Sequence, residues 1–282
     1  MSESQDKKRT TEWSFSFEQL GESISQWVGS LKGGEVEVQV DHFTAPVDGA
    51  TSARVELNMA IGKVTVDALS GSDNLMEAEV GHVGEMEFTV SGDEEKRVKL
   101  GQKQPKGGIR LPFKEAINAI GSRDDLLWTV GLSPNVPMRL KINAGLGASS
   151  LDLSELQITD LDVDAGVGEV QLTLPAMGES YKAEVDSGVG SIRITIPENA
   201  ALKLDIDGGV GSTTVSIPHN AAVRIKADSG LGGIHLPDHF MRVKKGDDFV
   251  TKSGVWETEG FAVAARQIVI HYDGGIGGLK VE

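Results

Sequence analysis

The sequence predicts an all-β chain: a parallel β-solenoid of stacked ~21-residue rungs, with a short amphipathic helix before it. Three observations predict this. A glycine-centred motif recurs at fixed spacing, apolar residues alternate on both sides of it, and a proline closes most copies. Such short-period self-similarity is the signature of stacked repeats.

The motif is clearest in DAGVGEVQLTLP (Asp164–Pro175), DSGVGSIRITIP (Asp186–Pro197), DGGVGSTTVSIP (Asp207–Pro218) and DSGLGGIHLP (Asp228–Pro237). NAGLGASSLDL (Asn143–Leu153) precedes them, and DGGIGGLKV (Asp273–Val281) follows. The paired glycines are Gly145 and Gly147, Gly166 and Gly168, Gly188 and Gly190, Gly209 and Gly211, Gly230 and Gly232, and Gly275 and Gly277. From Gly147 through Gly168, Gly190 and Gly211 to Gly232 the second glycines are evenly spaced. Extrapolation adds weaker copies at Gly62, Gly84, Lys106–Pro112 and Gly254, for about ten rungs. After each pair the apolar positions alternate, as in Val170, Leu172 and Leu174; before it they alternate too, as in Leu202, Leu204 and Ile206. Period two in short segments means strands with one face buried. Two strands within so short a repeat leave no room for a crossover helix. The rungs are therefore expected to stack in parallel, each beside its neighbour in sequence.

A GxG after a strand also opens many phosphate-binding loops, but those need a helix next, because its N-terminus holds the anion. Here an alternating strand follows every time, so the glycines read as structural corners. A corner needs either positive φ or close backbone approach.

The net charge of −15 argues against nucleic acid and anionic lipid as partners, since both are held by Lys and Arg. With no cysteine there are no disulfides, thiolate metal sites or thiol nucleophiles. No window holds the run of apolar residues that a membrane span needs. The opening MSESQDKKRTTEWSF has basic residues without an apolar run behind them, so the expectation is a cytoplasmic chain.

The run WTVGLSPNVPMRLKINAGLGASSLDLSELQITDLDVDAGVGEVQLTLP (Trp128–Pro175) resembles the toast-rack domain, and ARQIVIHYDGGIGGLKVE resembles that family's ending. Relatives include the C-terminal domain of LiaF-type cell-wall-stress regulators and a broad set labelled adhesins. The resemblance covers Trp128–Glu282 and extends from about Glu35. It implies a right-handed stacked β architecture, no catalytic residues and no cofactor. LiaF-type proteins carry N-terminal membrane helices, which this sequence lacks. The domain expectation is a polar tail and amphipathic helix over 1–34, then the solenoid over 35–282, with irregular rungs to 120 and regular ones from 121.

Four features bear on function. Asp164, Asp186, Asp207 and Asp228 precede successive corners, with Asn143 before them and Asp273 in the last copy. Stacked in register they would repel by about 1 kcal/mol per pair in water. The expected relief is an Asx-type bond from each side chain to a turn N–H, and the alternative is a row of weak Ca²⁺ sites. Beside them Asp162, Glu184, Asp205 and Lys226 are expected to align as a solvated charged column. Trp13, Phe17, Leu20, Ile24, Trp27 and Leu31 fall on one helical face that Gly33-Gly34 ends, either a cap or a partner-binding helix. Its other face carries Glu12, Glu18 and Glu22, the wrong charge for a lipid surface.

No enzyme motif is present. His235 and His239 have metal-like spacing, but Pro237 between them breaks the helix that would align them. The final strand, Gly278–Glu282, is expected at an exposed sheet edge guarded by Lys280 and Glu282. The functional expectation is a non-catalytic interaction or regulatory module, linked through the resemblance to envelope stress. The alternative is an adhesin-like or self-associating scaffold. Either one binds a protein partner or its own copies.

Overall fold

The computed structural model describes residues 38–103, 126–176, 179–245 and 253–282. The amphipathic stripe from Trp13 to Leu31 and the weak copy at Lys106–Pro112 lie outside the described residues. The described strands form one sheet. Its N-terminal part holds β1 (Gln39–Pro46), β2 (Ser52–Ala68), β3 (Asn74–His82), β4 (Met86–Ser91), β5 (Glu95–Gln102) and β6 (Leu127–Leu132). The long central strands are β7 (Met138–Asp152), β8 (Ile158–Thr173), β9 (Tyr181–Thr195) and β10 (Leu202–Ser216). Then come β11 (Val223–Asp228), β12 (Ile234–His235), β13 (Met241–Lys245), β14 (Ser253–Glu257) and β15 (Ile268–Val281).

Each long strand is one rung bent at its GxG. In β8, Leu161, Val163 and Ala165 are buried before the corner and Val170 and Leu172 after it. The buried positions change from odd to even across Gly166–Gly168, so both arms present their apolar residues to one core. Two different constraints require the two glycines. At Gly168 φ is +148°, a conformation that L side chains rarely adopt. Gly166 has no such φ, but a Cβ there would lie 2.1 Å from the carbonyl oxygen of Gly145 one rung away. The rungs touch through their backbones at this corner, and a side chain does not fit between them.

Parallel stacking holds in strict register through the middle of the sheet. Gly62, Gly147, Gly168, Gly190, Gly211 and Gly277 align in a single column. The apolar residues of successive rungs form one continuous core from Ala45 to Val281, with Trp128 fully buried in it.

Rung order and end structure differ from the sequence expectation. β15 sits between β10 and β11, so Asp207 neighbours Asp273, and Asp273 neighbours Asp228. Segment Gly278–Glu282 is therefore flanked by chain on both sides: Glu282 N–H donates to Val215 O (3.0 Å) and Leu279 N–H to Gly233 O (3.0 Å). It is not an exposed edge. The weak copies at Gly84 and Gly254 are not parallel rungs either. Gly84 joins β3 and β4, which run antiparallel to β6 and β5. Gly254 lies in β14, antiparallel to β11 and β13. Both ends of the stack thus reverse direction, leaving the short β1, β4, β12 and β13 as edges. In the Gly230–Gly232 copy the positive φ falls on the first glycine, Gly230 (+37°), and Gly232 is excluded from bearing a side chain by Gly277 O.

At the N-terminal end β5 pairs with the first arm of β2 and β6 with the second, so together they make one interrupted rung. The edge strand β1 is fastened by more than its ladder. His82, 2% exposed, bonds through Nε2 to Asp41 Oδ2 on β1 (3.0 Å) and through Nδ1 to the carbonyl of Gly84 (3.0 Å).

Candidate functional site

The corner that bends each rung also aligns the residue just before its second glycine, which in β2 is Ile61 after Ala60. Ile61, Leu146, Val167, Val189, Val210, Ile276 and Leu231 form one in-register column. Its exposure is graded. Ile61 and Leu146 are buried, Val167 and Val189 half-buried, and Val210, Ile276 and Leu231 are 39%, 54% and 64% exposed. The result is an apolar ridge whose last three members face solvent. Sequence reasoning passed over this column because it treated the motif as glycines. The signal was present: in every strong copy of the motif the residue between the glycines is Val, Leu or Ile.

Three residues earlier runs the polar column, Asn58, Asn143, Asp164, Asp186, Asp207, Asp273 and Asp228 in spatial order. At its N-terminal end the Asn143 amide donates to Asn58 Oδ1, and the Asn58 amide to Glu56 (2.7 Å). Among the described residues the aspartates find no turn N–H to accept from, so the expected Asx-type bonds are not made. Asp186 is pushed up to about 6, first by desolvation between the rungs and then by the charges of Asp207 and Asp164. Asp164 is raised chiefly by desolvation, and Asp207 by desolvation and the neighbouring Asp273, while a side-chain hydrogen bond joins Asp207 to Asp186. The column is a line rather than a cage: among the described residues no three Asp, Glu or His groups converge on a metal-sized site.

The neighbouring charged column reads Asp162, Glu184, Asp205, His271 and Lys226, with His271 entering where β15 is inserted. Asp162 pairs with Lys141 (2.6 Å), Glu184 with Lys182, and Asp205 with Lys203 (2.8 Å) and His271 (3.1 Å). Burial and the adjacent Lys203 hold the His271 ring below the usual histidine range. Exposed pairs of this kind each contribute well under about 1 kcal/mol. Of the histidines singled out by spacing, His239 packs against His219 (ring centroids 5.2 Å) and Phe240 (4.9 Å). His235 lies on β12, and neither belongs to a metal-binding set among the described residues.

The model of the N-terminal domain of toast_rack matches residues 32–195, more than half the chain. The chain belongs to the toast-rack family. Among solved structures, the toast-rack stack is similar to a putative cell adhesion protein from Clostridium sporogenes ATCC 15579, at 18% identity and a TM-score of 0.55, covering 87% of this chain and 99% of that one. It is also matched by a putative adhesin from Bacteroides fragilis NCTC 9343, at 11% identity and a TM-score of 0.32, covering 87% and 97%. At 18% identity the Clostridium likeness is one of fold. No curated protein matches significantly. Among the described residues no helix is long and apolar enough to cross a membrane.

Proposed function

We propose that this toast-rack protein is a non-catalytic interaction module whose binding surface is the outward side of the stack. One observation carries the reading: three large apolar side chains, Val210, Ile276 and Leu231, stand exposed in a row. Isolated exposed apolar residues are ordinary, whereas contiguous ones mark interaction surfaces. The repeat supplies the rigid backing: Val210 and Ile276 lie on paired strands. Leu231, between β11 and β12, is tied to β15 by its N–H to Gly275 O (2.9 Å) and by Gly277 N–H to its own carbonyl (3.0 Å). Resemblance to LiaF-type regulators supports a role for such a module in cell-envelope stress signalling. The designation of the Clostridium neighbour supports the second reading, an adhesin-like scaffold.

Site-specific photo-crosslinking of the full chain in its native cells tests the module reading. Probes replacing Ser212 and Thr214 on the stack are expected to capture a protein at a defined mass. Crosslinks arising only from probes within residues 1–34, with none from the stack, would show that recognition lies elsewhere. Fractionation of the same cells separates the two roles, since an adhesin must be recovered at the cell surface.

A further inference from the structure

We propose that the exposed end of the corner ridge docks a basic amphipathic helix of a partner protein, with Val210, Ile276 and Leu231 as the apolar contact and the aspartate column beside them as the charged one. This rests on the module reading above and adds the place and the chemistry of the partner. Rungs are about 4.8 Å apart, so Val210, Ile276 and Leu231 span about 10 Å, and half-buried Val189 extends the line to about 14 Å. A helix carries residues i, i+3 or i+4, and i+7 along one face over about 10 Å. The two spacings match closely enough for one knob to meet each rung.

The flanks of the ridge differ. On one side stand Asp186, Asp207, Asp273 and Asp228, each three residues before its ridge member. On the other side the next residues are Ser191, Ser212, Gly278 and Gly233, small and uncharged. A helix lying here can approach closely on the small flank and is selected for Lys or Arg on the acidic one. The stacked carboxylates repel one another, and cationic side chains along the column relieve that repulsion.

The same features disfavour other occupants. A second copy would bring its own aspartates and a net charge of −15 to the contact. Nucleic acid and anionic membrane are repelled by the column. An added strand finds no free edge along Val210 and Ile276, because β15 is hydrogen-bonded to β10 on one side and to β11 and β12 on the other. Among the described residues the backbone is open only beside Leu231 and the two-residue β12, too short a template for a strand. Along most of its length the ridge offers a partner side chains rather than backbone.

The test uses the full chain and a labelled synthetic helix with leucines at i, i+4 and i+7 and lysines along one flank, followed by fluorescence anisotropy. Binding in the micromolar range is expected, weakening about tenfold between low and high salt as charge contacts are screened. The pair Ile276→Ser and Leu231→Ser is expected to weaken binding at least about tenfold, from the lost apolar contact. Both positions are exposed, so the variant is expected to fold; unchanged circular dichroism and melting temperature check this. Asp207→Asn with Asp273→Asn is expected to flatten the salt dependence. Absence of binding at millimolar peptide would overturn the proposal, as would equal binding of a peptide with glutamates in place of lysines. Light scattering of the unliganded chain adds a further check. A dimer dispersed by the Ile276 and Leu231 changes would make the occupant a second copy and refute the basic helix. Failure of the peptide alongside stack crosslinks in cells would sink only this inference. Failure of both would sink the module reading as well.

Discussion

Replacing Gly168 by alanine imposes together the two constraints that meet at the corner. Two costs add. The backbone sits at φ +148°, where a Cβ costs roughly 1–3 kcal/mol. That Cβ would also lie 1.6 Å from Gly147 O and 2.8 Å from the carbon bearing it, and a backbone carbonyl cannot swing aside. β7 and β8 must therefore part locally by more than an ångström, which removes about two ladder hydrogen bonds at about 1 kcal/mol each, with some loss of core contact. The sum is about 3–5 kcal/mol, a large share of the roughly 5–15 kcal/mol typical of a folded domain. Gly49→Ala is the control, because Gly49 has φ +77° in a turn and nothing within 4 Å of its Cβ position. It is expected to show the backbone cost alone. Gly166→Ala carries the clash without the φ cost and should fall between them. Urea unfolding of the full-length variants measures all three, with the slope checked for constancy so that midpoints can be compared. Equal midpoints for the Gly168 and Gly49 variants would refute the close-approach explanation of the motif.

Other expectations follow from the columns and the sheet end. With its pKa raised above the unfolded value, Asp186 binds a proton more tightly when folded, so its contribution improves as pH falls from about 7 through 6 towards 4 and is lost as pH rises. Because the side chain remains solvent-accessible, screening cuts the effect to roughly 0.5–1 kcal/mol. Asp186→Asn is expected to raise the melting temperature at pH 7.5 and to remove most of the gain between pH 7.5 and 5; a pH-independent difference would contradict the raised affinity of Asp186 for its proton. His82→Ala removes the bond to Asp41 on β1 and the bond to Gly84 in the β3–β4 turn, and is expected to cost about 2–3 kcal/mol. Hydrogen exchange should then accelerate in Gln39–Pro46 before any other strand, and uniform acceleration would show that β1 is not separately held. Lys96 is 5% exposed and bonds Asp48 at 3.0 Å. Asp48→Ala, which leaves that ammonium buried without its partner, is expected to destabilise more than Lys96→Met, which removes the charge. The reverse order in thermal melts would count against a desolvated pair.

The repeat was legible because each rung obeys the same local rules. Alternation on either side of Gly166–Gly168 or Gly188–Gly190 identifies two strands, and the lack of a helical segment makes the stacking parallel. Neighbourhood was not legible. Asp207 and Asp228 stand one repeat apart and share a motif, yet Asp273 lies between them, because a parallel strand can be inserted at any register-compatible edge and no local residue records which. Gly84 and Gly254 failed for a related reason: glycine at the right interval serves an antiparallel turn or strand as well as a corner. Spacing put Asp164, Asp186 and Asp207 in one column, which the register shows, but how their repulsion is relieved depends on which carboxylates adjoin and how dry they are. The apolar ridge was visible as a constant residue type. Its exposure was not, since that depends on what lies over each rung.

The insertion of β15 also bears on the order in which the chain can acquire structure during synthesis. Rungs from β7 to β10 can each close on the rung before as they leave the ribosome. β11 cannot do the same, because its parallel partner is made only after β12, β13 and β14. Until β15 arrives, β10 presents an open parallel edge, and β11, β13 and β14 can pair only with one another. A wrong pairing of β11 directly on β10 would satisfy the same glycine register, and β15 would then have to displace it. Such non-local closure is slow and leaves unpaired strand edges exposed meanwhile. A ribosome pause after β10 would prolong that interval, whereas rapid passage through β11–β14 would shorten it.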